Sequence, residues 1–481
     1  MNNNNNNNND LAFHFERLPN EIQREIVSRL EVNELEELLQ VNRHVRHQAA
    51  FYFFQSTSVM VIGLERLQAF RNVLQDPFNL YTRITTLVIS DIPDFGNLTG
   101  EQAANLLTEI LDRSPFLRVL DFVDVNDMAT LANGLRQRIQ RGAIGVLQRF
   151  TRITASTTEE EERQRRVVRQ EQRAMLRLNL VFRESIGRLD INQLLVQDLN
   201  GEPFNNNLYG FLQQFPRLSV LHLHFSVNLV LTEILLACPE LTVLRFMRDI
   251  FRGRGGGGGR AQISIYPANR TREFNYNLRR RIFHLERLTV QGDSITATFC
   301  DFINIYLQNL VELTILHDVF RGRAFADAFN VFITNPSLIR VLRFYNVGRN
   351  VLAVYPRIDE YFPILTVLRV DNCQGVTEHN LGGLTLARFS LDVSPFLEEE
   401  NQDLIQIAVH LRVRNRRLYF LHRRGEDAFL PQPTPVIEGV PFEDIIIRAS
   451  DINTLELYTG DNGWSHAINL GLDFFPNPLF E

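Results

Sequence analysis

The sequence predicts an α/β protein in which a three-helix module at the N-terminus is followed by a solenoid of short strands, stacked into one curved parallel sheet with helices along its outer side. Three observations predict it. Residues 18–46 carry apolar side chains at helical spacing, a unit of the form Leu-x-x-Leu-x-apolar recurs down most of the remaining chain, and helical patterns such as LTEILLAC at 231–238 and FADAFNVFI at 325–333 lie between the copies.

In the N-terminal stretch, Ile22, Ile26 and Leu30 fall at i, i+4 and i+8 with Gln23, Arg24, Glu25, Ser28 and Arg29 between them, which predicts a short amphipathic helix. Leu18-Pro19 precedes it, and proline early in a first turn starts a helix without losing a needed N–H. Asn33 is placed to cap a second helix, with Glu36 closing a capping box and Leu35, Leu38 and Leu39 as the buried face. Val41, Val45 and the FYFF run at 51–54 carry the apolar line into a third helix. Three such short helices enclose too little apolar surface to offset the entropy of ordering them, so a partner surface is expected.

The repeat reads clearly at Leu117-Leu120-Phe122, Leu218-Leu221-Leu223, Leu241-Leu244-Phe246 and Leu365-Leu368-Val370, each with a proline two residues before the first leucine. Leu285-Leu288-Val290 and Leu310-Leu313-Ile315 lack the proline, and Ile339-Leu342-Phe344 follows Pro336 one residue out of step. Weaker copies start at Ile84, Ile186, Leu386 and Ile452. Alternation in the second half of the unit buries every other residue of a short strand, and the proline marks the end of what precedes it. The spacing from Leu218 to Leu241 and from Leu285 to Leu310 falls within the period of about 20–29 residues that characterises leucine-rich repeats. A doubly wound α/β sheet is the alternative, but it does not repeat the same leucines at this interval.

The residues Leu18, Pro19, Glu21, Ile22, Ile26, Leu30, Leu35, Leu38, Val41, Arg43 and Arg46 resemble the F-box pattern without a gap, with Val45 where that family often has tryptophan. The Pro-x-Leu form of the repeats resembles those that follow the F-box in one branch of the family. The resemblance implies a substrate receptor of a Skp–cullin–F-box ubiquitin ligase, itself non-catalytic. The Skp-type adaptor, and through it cullin, would be bound by Leu18, Pro19, Ile22, Ile26, Leu30, Leu35, Leu38 and Val41. The organisation expected is an asparagine tract at 1–10 with nothing to bury, the F-box at 11–56, a linking helix at 57–80, and leucine-rich repeats over 81–481 with insertions at about 127–180 and 250–262. Three alternatives stay open: an ordinary helical cap on the repeats, a repeat scaffold that uses the F-box for assembly without ubiquitin transfer, and an effector directed at a host cell.

Composition narrows the rest. A chain of 481 residues, 44% hydrophobic, has the material for a large core, and a net charge of −6 gives no basic field for nucleic acid or anionic membrane. No apolar run approaches the roughly twenty residues of a spanning helix, and the polar N-terminus is not that of a signal peptide. Cys238, Cys300 and Cys373 lie far apart, without zinc-site spacing or disulfide density, so a reducing cytoplasm or nucleus is expected. The chain also contains no lysine: all 50 basic residues are arginine. Average composition would supply about thirty lysines in a chain of this length. This excludes P-loop, Schiff-base and kinase-lysine chemistry.

No catalytic constellation emerges, and neither a cofactor nor a metal is expected. His222 and His224 share a strand face, where an HxH pair is able to hold a metal, but no third ligand is placed by sequence and a polar surface is the simpler reading. The glutamates at 159–162 form part of a charged stretch at 157–174, read as a solvated helix or arm, and RGRGGGGGR at 252–260 reads as a linker lacking the aromatics of a nucleic-acid site. Strand alternation nominates a concave binding face at Asp121, His222, Arg245, Thr289, Thr314, Arg343 and Arg369, with His224, Met247, Gln291, Tyr345 and Asp371 beside them. From these, His222, Arg245, Arg343, Tyr345 and Arg369 are the expected target contacts, the arginines suiting an acidic or phosphorylated segment. The competing reading is solvated charge on a strand face.

Overall fold

The computed structural model describes residues 18–40, 43–76, 79–92, 98–125, 128–140, 150–156, 165–192, 196, 207–225, 228–248, 263–267, 283–316, 327–334, 337–346, 352–372, 376–392, 404–411, 416–423, 429–432, 442–449, 451–459 and 464–469. The chain divides into two compact units. The first is Met1–Leu189 with Leu195–Asn206 and Gln214–Arg217; the second is Asp190–Leu194, Asn207–Gln213 and Leu218–Glu481.

The first unit opens with α1 (Asn20–Ser28), α2 (Val32–Leu38) and α3 (Arg43–Ser56). Val27, Leu35 and Ala49 form their core, with Leu30, Leu38, Leu39, Tyr52 and Phe53 packed against it. The capping box of α2 is closed by Glu31 and Glu34, two residues ahead of the Asn33 start expected from sequence. The Glu31 amide donates to Glu34 Oε2 at 2.8 Å. The helices are expected from sequence to need a partner surface, and part of that surface is supplied by the chain itself. Ring contacts from Phe51 to Phe116 at 6.0 Å and from Phe54 to Tyr81 at 5.7 Å seat α3 on the segments that follow, and the Thr85 hydroxyl donates to the Phe54 carbonyl.

Those segments are β1 (Val59–Ile62), α4 (Leu64–Val73), β2 (Thr86–Ile92), α5 (Gly100–Arg113), β3 (Val119–Val125), α6 (Met128–Gln140), β4 (Arg152–Ser156) and α7 (Arg165–Val181). The strands form one parallel sheet in chain order, β1-β2-β3-β4, aligning Leu87 with Leu120 and Ile153. Two boundaries read from sequence therefore shift. β1 lies inside the stretch read as a linking helix, and α6, β4 and α7 lie inside the stretch read as an insertion. Phe150, Ile153 and Ala155 occupy the leucine positions of β4 with other apolar side chains, and the second half of α7 buries Ala174, Met175, Leu176 and Leu178. Residues 157–164, with the glutamate run, lie outside the described residues, as do the asparagine tract and the glycine stretch at 252–260.

The second unit contains β5 (Arg188–Asn192, which begins in the first), β6 (Val220–Phe225), β7 (Leu229–Val230), β8 (Val243–Arg248), β9 (Ile263–Ser264), β10 (Arg287–Gln291), β11 (Glu312–Leu316), β12 (Val341–Tyr345) and β13 (Val367–Asp371). It continues with β14 (Glu378–Asn380), β15 (Thr385–Asp392), β16 (Leu404–Leu411), β17 (Arg416–Arg423), β18 (Phe429–Gln432), β19 (Phe442–Arg448), β20 (Asp451–Thr459) and β21 (Trp464–Asn469). Ten strands form a sheet whose spatial order follows the chain, β5-β6-β8-β10-β11-β12-β13-β15-β20-β21. The pairings from β6 to β20 are parallel and β21 closes the edge antiparallel. A doubly wound sheet reverses direction at a switch point, and this order contains none.

Register explains why the repeat is spelled with leucine. Leu221, Leu244, Leu288, Leu313, Leu342, Leu368, Phe389 and Leu455 stand in one line across the sheet, all of them buried. Two residues before that line, one carbonyl in each copy accepts two successive amides of the next: Ser219 from Thr242 and Val243, Thr242 from Glu286 and Arg287, Val311 from Arg340 and Val341. The same device joins Thr85 to Arg118 and Val119 in the first unit. Four residues after the buried line of either sheet the backbone enters the left-handed region, inside the strand at Asp91 and Asp124 and just past it at Asn346 and Asn372, with φ 51°, 50°, 56° and 48°. Asp and Asn tolerate that conformation because a short polar side chain bonds locally.

One departure from the expected uniform array lies near the C-terminal end. A five-stranded sheet of order β14-β19-β16-β17-β18 includes two antiparallel pairings, before β20 rejoins the main sheet beside β15. Among the described residues no helix is long and apolar enough to cross a membrane.

Candidate binding surfaces

The apolar residues of the N-terminal helices divide between inside and outside. Gln23 and Val27, four apart on α1, face the core, the Gln23 Nε2 donating to the Leu18 carbonyl at 2.8 Å. Ile22 is turned outward at 43% exposure, Pro19 is exposed, and Leu18 and Ile26 are half-buried. Of the other expected adaptor contacts, Leu35 lies inside the helical core and so holds the helices together rather than meeting a partner, while Leu30 and Leu38 pack against that core. Val41 lies outside the described residues.

On the solvent side of the ten-stranded sheet, His222, Arg245, Thr289, Thr314, Arg343 and Arg369 stand in one cross-strand row. The arrangement differs from a row of free charges. Asp371, expected to face outward, is 1% exposed, and its carboxylate is held by Arg343 Nε, with Arg369 Nε at 3.8 Å. Arg343 stacks over Tyr345 at 5.7 Å and Arg369 over Tyr458 at 5.2 Å. Burial lowers the Arg343 guanidinium from its ordinary value, and the positive charges of Arg369 and Arg245 lower it further. Two of the three expected arginines are thus engaged with a carboxylate of their own sheet, while Arg245 is exposed.

His222 and His224 meet a carboxylate and not a vacant metal position. His222 Nδ1 lies 3.5 Å from Asp190 Oδ2 and His224 Nε2 lies 3.4 Å from Asp190 Oδ1. Burial acts to raise the Asp190 carboxyl, but hydrogen bonds to both histidines outweigh it and hold the group well below the usual carboxylate range. Among the described residues no group of three or more His, Cys, Asp or Glu is arranged to hold a metal ion.

Two buried features escaped the sequence reading. His379 on β14 is wholly buried, its Nδ1 2.9 Å from the Tyr355 hydroxyl and its ring against Phe389, and burial pushes its pKa down to about 3. Cys238 and Cys300 are interior thiols; burial pushes the first up to about 12 and raises the second as well, so neither is a thiolate nucleophile at neutral pH. Cys373 lies outside the described residues.

No family model matches the chain. No curated protein matches it either. Among solved structures, the crystal structure of the Rad7 and Elc1 complex in yeast aligns with 73% of this chain and 86% of that chain, at 14% sequence identity and a TM-score of 0.33. A superposition this loose carries no argument about function.

Proposed function

We propose that the chain is a non-catalytic substrate receptor of a Skp–cullin–F-box type ubiquitin ligase, acting in the cytoplasm or nucleus. Its N-terminal helices dock on a Skp-type adaptor, and the solvent side of its leucine-rich-repeat sheet holds a target protein. The observation that carries the reading is the division within the F-box-like residues. Val27, Leu35 and Ala49 close the helices on themselves, whereas Leu18, Pro19, Ile22 and Ile26 stay at the surface in the order that the F-box pattern gives them. Among the target contacts, exposed Arg245 supplies charge, and the Arg343–Tyr345 and Arg369–Tyr458 pairs supply rigid amphipathic surface of the kind that dominates interfaces. An acidic or phosphorylated segment suits that set.

The test is co-purification with a Skp-type adaptor. Replacing both Leu18 and Pro19 by Ala removes surface anchors without touching Val27, Leu35 or Ala49, so the fold is expected to survive. Each lost anchor costs about 2 kcal/mol, about thirtyfold in affinity. Adaptor capture by the double variant at the wild-type level would sink the assignment.

A further inference from the structure

Every one of the 50 basic residues is arginine, and the structure shows positions among them where nothing asks for a guanidinium. Where a planar, forked donor matters its partner is visible: Arg152 on Asp121, Arg343 and Arg369 about Asp371, and Arg83 over the Phe116 ring at 4.9 Å. Lysine serves poorly at such sites. Elsewhere the need is absent. Arg66 on α4, Arg113 at the end of α5 and Arg217 ahead of β6 are exposed, with no ion pair, hydrogen bond or ring contact among the described residues. An ammonium on an alkyl stem meets the demands of those positions equally well. Packing therefore does not account for the exclusion of lysine.

Codon composition does not account for it either. A bias that trades lysine codons for arginine codons also depletes asparagine and phenylalanine, yet Asn2 to Asn9 are consecutive asparagines and the chain holds 36 phenylalanines. What separates the two side chains at an exposed site is nucleophilicity. Lysine is a primary amine and a target of ubiquitin attachment; the arginine guanidinium is not deprotonated in proteins.

We infer that the exclusion of lysine strips this chain of side-chain amine acceptors for the ubiquitin whose transfer it directs, sparing the receptor from its own ligase. The inference rests on the receptor reading above. An assembled ligase holds ubiquitin as a thioester on a carrier cysteine, at the millimolar-order effective concentration of a tethered reactant. A receptor lysine within reach attacks the thioester carbonyl through its neutral ε-amine. The isopeptide bond forms, the carbon–sulfur bond breaks, and the proton lost by the amine ends on the released thiol. An exposed arginine offers no nitrogen for that attack.

The experiment uses the full chain carrying Arg66→Lys, Arg113→Lys and Arg217→Lys, singly and together, with Arg→Gln at the same positions as controls. The Lys variants are expected to melt and to capture adaptor as the wild type does. In cells with the ligase assembled, ubiquitin remnants should be found by peptide mass spectrometry on the introduced lysines. Half-life should fall several-fold in a proteasome-dependent manner, and combining Leu18→Ala with Pro19→Ala should restore it. The Gln controls should turn over at the wild-type rate. Adaptor-bound Lys variants that stay unmodified with wild-type half-lives overturn the inference and leave the receptor reading standing. Acceleration shared by the Gln controls overturns it too, since it traces to loss of the guanidinium. A wild-type chain that captures no adaptor removes both.

Discussion

The buried His379 gives the second unit an acid sensitivity with a definite pH window. A histidine ordinarily titrates near 6.5, whereas His379 is pushed down to about 3 by burial beside Tyr355 and Phe389. Its folded pKa is depressed, so between those values the unfolded chain binds a proton that the folded chain refuses. Stability attributable to this group is fully present above pH 6.5 and is lost as pH falls toward 3, by about 1.4 kcal/mol for each unit. Two units of acidification, from 6.5 to 4.5, therefore remove about 2–3 kcal/mol by the same linkage, a large fraction of a typical domain's stability. The Asp190 carboxyl is also depressed, so its own contribution is present above the ordinary aspartate value near 3.9 and is lost as pH falls below it. The perturbation is His379→Gln, which keeps a polar side chain facing Tyr355 and removes the titration. The single tryptophan, Trp464, falls on β21 of the same unit, and unfolding is followed by circular dichroism. Urea titrations at half-unit steps from pH 7.5 to 4.5 should show the variant losing stability less steeply below 6.5, while the loss of a well-placed partner lowers its curve uniformly. Parallel pH profiles for variant and wild type between 6.5 and 4.5 would refute the assignment.

Two further outcomes are expected. Asp371→Leu removes the carboxylate that Arg343 and Arg369 share; because those side chains are 32% and 38% exposed, the cost should be about 2 kcal/mol, below the about 3–5 of a fully desolvated pair. Adding Arg343→Met should recover part of it in urea unfolding, and an Asp371→Leu chain as stable as wild type would contradict the pairing. Asn346→Val and Asn372→Val force a branched side chain into the left-handed region and should each cost about 1–2 kcal/mol, whereas Gly at either position should be nearly neutral; equal melting of the Val and Gly variants would argue against backbone strain there.

The parallel array was legible because burial and register leave the same mark. Leu221, Leu244, Leu288, Leu313, Leu342 and Leu368 are written at the same place in successive copies because they stand side by side in the sheet. The weak copies that start at Ile84, Ile186, Leu386 and Ile452 fall at β2, β5, β15 and β20 with buried side chains, since the position asks for apolar volume and not for leucine as such. For the same reason β1 and β4 went unread: Val59, Phe150 and Ile153 satisfy the position without spelling it, and Ala155, which is exposed, fills the last place of the unit with little volume. The mixed sheet built on β16 and β17 was hidden for another reason. Alternation marks a strand, but the direction of its neighbour is fixed by partners far along the chain.

The site was legible one strand at a time and no further. Alternation says that Arg343 and Arg369 face the same side; only register says that they stand directly opposite each other, an arrangement that repels unless a counter-charge intervenes. Asp371 is that charge, two residues beyond Arg369 on the same strand, and meeting two guanidinium groups is what buries it. Likewise His222 and His224 acquire their common partner from Asp190 on β5. On α1 the failure ran the other way. Spacing selects Ile22 and Ile26 as one face and passes over Gln23 and Val27, because a polar residue is not expected to lead a core. Gln23 is interior all the same, since its amide bonds the Leu18 carbonyl and closes the turn that brings Pro19 into the helix start. The outcome is a helix whose Ile22 is turned to solvent and whose Ile26 is only half-buried, beside the core it helps to build. Among the described residues Ile22 packs into no core, which is why the receptor reading proposed above rests on α1 more than on any charge of the sheet.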